Sequence, residues 1–163
     1  GFSLTGGYTF NLDEDRSYGY LVPEFRVTSR VDEGGVLVLA TKIKGHLNFN
    51  DTYEFYQAAS IGALDGLRGF RYRRFSGKQA YYQTTDLRIS LGRLNNGLLP
   101  TSIALYGGFD YGRVWQPGDT ANQWHTSQGG GFYINLAGFI VANLYYFDSS
   151  DGGRFAFGLS MPF

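Results

Sequence analysis

Arg154-Phe155-Ala156-Phe157-Gly158-Leu159-Ser160-Met161-Pro162-Phe163 closes the 163-residue chain in strict alternation. Phe155, Phe157, Leu159, Met161 and Phe163 share one face, while Arg154, Ala156, Gly158, Ser160 and Pro162 share the other. Successive side chains of a strand point to opposite faces, so the stretch reads as a strand with one apolar side and one small or polar side. A final strand of this kind, stopping on an aromatic, is what a transmembrane β-barrel is expected to use as its closing strand, because aromatics rim the lipid-facing band at the membrane interfaces.

The same alternation recurs upstream. Phe2, Leu4, Tyr8 and Phe10 oppose Ser3, Thr5 and Thr9; Leu21, Phe25 and Val27 oppose Glu24, Arg26 and Thr28; Leu37, Leu39, Ile43 and Leu47 oppose Lys42, Lys44 and His46. Further on, Leu87, Ile89 and Leu91 oppose Asp86, Arg88 and Ser90, and Leu105, Phe109 and Tyr111 oppose Tyr106, Gly108 and Asp110. Two more strands carry Phe132, Ile134 and Leu136, then Ile140, Ala142, Leu144 and Tyr146, on the apolar face. Connections near 32–35, 94–100 and 137–138 are short, and those near 12–16, 50–78, 116–125 and 148–153 are longer. About eight strands with short turns at one end and long loops at the other predict an all-β fold: a single antiparallel transmembrane barrel domain over 1–163, with both termini periplasmic.

Composition narrows the function classes. The chain is 18% aromatic and 17% charged, carries 24 glycines, and has no formal net charge, which gives no reason to expect a nucleic-acid partner. It has no cysteine, so disulfides and thiolate metal sites are excluded. No apolar run approaches the ~20 residues of a membrane helix, a test that a barrel evades because only alternate residues face lipid. A barrel bound for the outer membrane needs an export signal, and Gly1-Phe2 opens without one, so the sequence is expected to be a mature form or an excised part.

From about Asn50 to Lys78 the pattern gives way to a long, basic, aromatic loop, a length that is usually functional or disordered. It contains Gly66-Leu67-Arg68-Gly69-Phe70-Arg71-Tyr72-Arg73-Arg74-Phe75. A strand with Asp86 follows, and the next one contains Gly108-Phe109-Asp110-Tyr111-Gly112. This ordered set resembles the BamA–TamA–FhaC superfamily of outer-membrane barrels, the bacterial surface antigen family, which has an Arg-Gly-Phe/Tyr motif in a long external loop and a Phe-x-Asp-x-Gly motif two strands later. Phe109 directly precedes Asp110, so the second motif fits only through Gly108-x-Asp110-x-Gly112. The resemblance implies a loop-to-barrel lock of Arg68, Gly69, Phe70, Asp86, Asp110 and Gly112, in which the arginine pairs with carboxylates in the lumen. A planar guanidinium suits two carboxylates there, while Gly66 and Gly69 are expected to let the loop turn tightly. The bland alternative is a structural staple that only pins the loop.

Family members have about sixteen strands and usually periplasmic domains before them, whereas this chain matches the C-terminal half of such a barrel. An eight-stranded barrel has a lumen just filled by side chains, and open edges cannot face lipid. Three arrangements follow: a small closed barrel with the long loop outside, which the even strand count favours; two chains pairing into a larger barrel; or a fragment of a longer protein. The resemblance implies a role in outer-membrane protein assembly or translocation, against a structural or pore-forming barrel without insertase activity. Expected partners are outer-membrane lipid, lipopolysaccharide, and a second copy or other barrel proteins; Arg68, Arg71, Arg73 and Arg74 read first as a solvated or lumen-paired cluster, with contact to lipopolysaccharide phosphates as the alternative. No cofactor is expected.

Catalytic chemistry finds little support. His125, Ser127 and Asp119 are the components of a triad without a nucleophile motif. His46 reads as a residue hydrogen-bonded to its neighbours. Asp148 to Gly152 lacks the spacing and distal glutamate of a calcium loop. The expectation is a non-enzymatic protein.

Overall fold

The computed structural model describes residues 1–11, 16–49, 55–96, 99–118, 123–136 and 140–160. Asp13-Glu14-Asp15, Gly97, Asp119, Ala137-Gly138, Met161 and Phe163 lie outside the described residues.

Eight strands form one antiparallel sheet: β1 (Phe2–Asn11), β2 (Arg16–Arg30), β3 (Leu37–Asn48), β6 (Gln79–Asn96), β7 (Leu99–Trp115), β8 (His125–Leu136), β9 (Ile140–Ser149) and β10 (Arg154–Ser160). Two short strands within the long connection, β4 (Ala59–Ile61) and β5 (Phe75–Gly77), pair only with each other, after a 3-10 turn at Phe55–Gln57. Apart from that connection, each strand pairs with its sequence neighbour, as period-two segments joined by tight turns should. At the β2–β3 turn, Asp32 accepts the backbone N–H of Leu37 (2.6 Å) and of Val36 (3.0 Å), an Asx-type closure for which short acidic side chains are suited.

The two faces of the sheet differ in the opposite sense from a water-soluble protein. Phe25, Leu39, Leu87, Ile89, Leu105, Phe109, Phe132 and Leu144 are exposed on one face. The other face buries Tyr82, Tyr106, Asp110, Ser127 and Phe147. Apolar side chains held outward in an extended band, with buried polar groups inward, make the outward face one that water would penalise. The compact core lies between the long connection and the inner face, where Ala59, Ile61, Leu67 and Phe70 pack on Ala80 and Tyr82, with Phe75 and Val114 alongside.

Two expectations change here. The favoured small closed barrel is not what the described residues form, because β1 and β10 end the ladder and do not pair with each other. Second, the long connection does not lie outside. It packs on the inner face, with β4 contacting β6 and β7, and it carries secondary structure of its own. An unclosed sheet leaves room on its concave side that a closed eight-stranded barrel, filled by side chains, would not. The sheet is nevertheless bent enough that residues of β2 and β10 line one cavity. Within β10, Phe155, Phe157 and Leu159 are 77%, 65% and 65% exposed, on the outward face that the alternation assigned to them.

Candidate functional site

The long connection is tied down at its root. The single Tyr18 O–H lies within reach of two acceptors, Asn48 Oδ1 (2.9 Å) and the Gln57 carbonyl (3.0 Å), and Asn48 Nδ2 donates to that same carbonyl (2.9 Å). Asn48 is buried, so this closed set satisfies a polar group that would otherwise be costly to bury. Beyond β4 the chain folds back on itself, the Leu67 N–H bonding to the Gly62 carbonyl at 2.8 Å. Gly66 makes the reversal: its φ is +104°, and its Cα lies against the Tyr82 ring with no room for a Cβ. That reversal aims Arg68 at the sheet.

Arg68 meets Asp110 by both backbone and side chain. Its backbone N–H donates to Asp110 Oδ2 (3.0 Å), its Nε donates to Asp110 Oδ2 (3.0 Å) and Oδ1 (3.2 Å), and its Nη2 donates to Asp110 Oδ1 (2.6 Å). Ser127 Oγ adds a further donor to Asp110 Oδ2 at 3.0 Å. Asp110 is fully buried, and these charge-assisted bonds replace the water it has lost. The Nη2 also forms an ion pair with Asp86 Oδ1 at 2.7 Å, while Asp86 Oδ2 accepts from Arg88 Nη2 at 3.1 Å. The Arg68 guanidinium sits over the Phe147 ring, 4.0 Å from its centroid, and 5.7 Å from that of Tyr106. Burial works against the Arg68 charge, but the Asp110 hydrogen bonds and the charges of Asp110 and Asp86 outweigh it, and the pKa is raised above the ordinary arginine value.

The register explains why these groups converge. Thr84 pairs with Asp110 across β6–β7, Asp86 with Gly108, and Asp110 with Ser127 across β7–β8, so all the inward side chains fall on adjacent rungs. Gly108 leaves the space through which Arg68 reaches, since a Cβ there would stand 2.6 Å from Arg68 Nη2 and 2.7 Å from Asp86 Oδ1.

The remaining residues of the lock hold the loop in other ways. Gly69 has no left-handed φ. It is needed because a Cβ would meet Ser127 Cβ at 2.8 Å and Ser149 Cβ at 2.9 Å, so its role is close approach and not the tight turn expected of it. Its carbonyl accepts from Ser149 Oγ at 2.9 Å. Phe70 is fully buried, edge-on to Phe75 (5.1 Å between centroids) and to His125 (5.9 Å). Gly112 seats the sheet under β4, where a Cβ would lie 3.2 Å from Ile61 Cδ1. Farther out, Arg74 Nε donates to Asp151 Oδ2 at 2.6 Å, tying the loop to the β9–β10 connection. That hydrogen bond and the Arg74 charge hold the Asp151 carboxyl below the usual aspartate range.

The remaining candidates take separate places. Ser127 serves Asp110, and His125 stacks on Phe75 at 3.5 Å with rings 9° apart, so the two are engaged separately. His46 Nε2 is buried without a hydrogen-bond partner, and the imidazole keeps Asn48 as its side-chain hydrogen-bonding neighbour, in line with the neighbour-bonded reading. Sequence reasoning missed Ser127 and Ser149 as supports of the loop and Phe147 as the ring beneath Arg68. A period-two pattern places each on the inner face but gives no cross-strand register, and the register is what brings them to Arg68.

A family model described as haemolysin secretion/activation protein ShlB/FhaC/HecB matches residues 24–136. The chain belongs to this family. The matched span runs from β2 through β8 and includes Arg68, Asp86 and Asp110. ShlB/FhaC/HecB proteins are outer-membrane proteins of bacteria, and this is where the chain is located. No curated protein and no solved structure matches it.

Proposed function

We propose that the eight-stranded sheet is membrane-spanning barrel wall, with its exposed apolar face in lipid, and that it serves the passage of a secreted polypeptide across the outer membrane. The observation that carries this reading is the placement of the Arg68 loop. It is fastened to the inner face by Asp110 and Asp86, opposite the side where Leu87, Leu105, Phe109 and Phe132 face outward. A loop held by a few charge-assisted bonds inside a barrel wall is a movable obstruction, which suits a conduit that is shut until used. The secretion/activation description of the ShlB/FhaC/HecB family agrees with translocation more directly than with assembly of other barrels.

In this reading the short turns, such as Asp32–Gly35, and both chain ends face the periplasm, and the Arg68 loop enters from outside. Lipid and lipopolysaccharide contact the outward band and the outer rim. There Tyr81, Tyr111, Trp115 and Trp124 cluster with centroids about 6 Å apart, an aromatic belt at one end of the strands. The test is depletion of the protein in its native host, followed by profiling of both the culture medium and the outer membrane. Loss of one or a few polypeptides from the medium, with outer-membrane barrels unchanged, is the expected result. An unchanged medium sinks the translocation reading, and a fall in other barrels replaces it with assembly.

A further inference from the structure

The inner face carries an open cavity of ≈ 780 Å³ whose lining includes Arg26, Lys42, Arg68, Arg88 and Arg154, with Asp86 as its acidic residue. Three of these cations are compensated: Arg26 by Glu24, Arg68 by Asp110, and Arg88 by Asp86. Lys42 and Arg154 have no ion-pair partner within contact distance among the described residues; Lys42 Nζ overlies the Tyr82 ring at 5.1 Å, with Glu24 and Asp65 acting on it from farther away. Lys42 and Arg26 are also direct cross-strand partners on β2 and β3. Like charges placed opposite each other destabilise a sheet, and packing does not require them. Their place on the wall of this cavity is a feature that folding leaves unexplained.

We infer that this cavity is a docking site for an anionic stretch of polypeptide, whose carboxylates would be received by Lys42 and Arg154 from opposite sides. The two residues stand on β3 and β10 and share the cavity wall with Arg68, so an extended segment reaching both would run along the inner face past the Arg68 guanidinium. Low-dielectric walls focus the field of the two unpaired cations, and a cleft with an excess of positive charge concentrates anionic groups. The inference rests on the secretion reading for the identity of the occupant, since it names the chemical class of segment the conduit would favour.

The test uses the protein as its host makes it, in detergent or nanodiscs, with three labelled peptides: Glu-Ser, Lys-Ser and Gly-Ser repeats, read by fluorescence anisotropy. The Glu-Ser peptide is expected to bind best, and to bind less well as ionic strength rises from ~0.01 M to ~0.15 M, where screening shortens from ~30 Å to ~8 Å. Lys42→Gln combined with Arg154→Gln should weaken it about tenfold or more, roughly the loss of one good charge contact. Lys42→Arg with Arg154→Lys, which keeps both charges, should restore it and control for folding. Glu-Ser binding no tighter than Gly-Ser binding, or undiminished in the Gln variant, overturns the inference. The two proposals fail separately: peptide binding without any client in the medium removes secretion and keeps the anion site, while secretion without peptide preference does the reverse.

Discussion

A fully buried carboxylate needs a cation, and for Asp110 that cation is Arg68. Arg68→Ala strands Asp110 with Ser127 as its remaining side-chain donor, and breaking one side of a buried pair costs about 3–5 kcal/mol. We expect thermal unfolding at lower temperature and new protease cleavage between 55 and 78; cleavage as slow as in the parent protein would show that the loop is held by other contacts. Arg68→Lys should recover only part of the loss, because a point charge cannot serve Asp110 through two nitrogens while touching Asp86. Gly69→Ala tests a different contact. A methyl placed 2.8 Å from Ser127 Cβ and 2.9 Å from Ser149 Cβ overpacks the joint, at a cost of about 1–3 kcal/mol, and should raise the same cleavage without touching any charge. If Gly69→Ala leaves cleavage unchanged, β9 does not grip the loop as closely as these distances require.

At the scale of elements, the loop is held at two depths: inside by Arg68, and at the outer rim by Arg74 with Asp151. The outer tie is pH-sensitive. Because its partner depresses the Asp151 carboxyl, the tie contributes fully above the ordinary aspartate pKa of about 3.9 and is lost as pH falls through the lower folded value. Arg71 and His125 also face Asp151 and add positive charge there, which supports the same direction. Hydrogen-exchange protection over 71–77, corrected for the intrinsic pH dependence of amide exchange, should therefore fall below pH ~4, and Arg74→Gln should lower it at neutral pH and remove most of the further acid response. Protection that falls equally in the Arg74→Gln protein would assign the acid effect elsewhere. The strands themselves were legible in the sequence, since alternation marks a half-exposed strand whatever it pairs with: β2 at Arg16–Arg30 and β3 at Leu37–Asn48 nearly coincide with the segments read from pattern. Arg68 with Asp86 and Asp110 was legible as a constellation only through its likeness to a family. The inward position of the loop was not legible, because it depends on whether the sheet closes, and alternation is the same in a closed barrel and an open one.

The whole molecule has an apolar outward face and two unpaired edges, and these conflict. Within lipid no water replaces the missing partners, so each unpaired N–H and C=O along β1 and β10 costs several kcal/mol. Ten residues of β1 and seven of β10 make that penalty too large for a membrane-embedded sheet to carry. On the membrane-wall reading proposed above, we therefore expect the edges to meet other strands, from a second copy or from further segments of a longer polypeptide. Bending the sheet until β1 and β10 meet would also crowd the concave side, where β4, β5, Leu67 and Phe70 already pack on Ala80 and Tyr82. The prediction is that the detergent-solubilised native species has a polypeptide mass well above one 163-residue chain, as measured by light scattering with the detergent subtracted. Cysteines placed at Thr5 in β1 and Gly158 in β10 should then fail to join within one such chain. A monodisperse species of single-chain mass, with Thr5→Cys and Gly158→Cys readily cross-linked intramolecularly, would mean that the sheet closes on itself and that the Arg68 loop must leave its inner face to allow it.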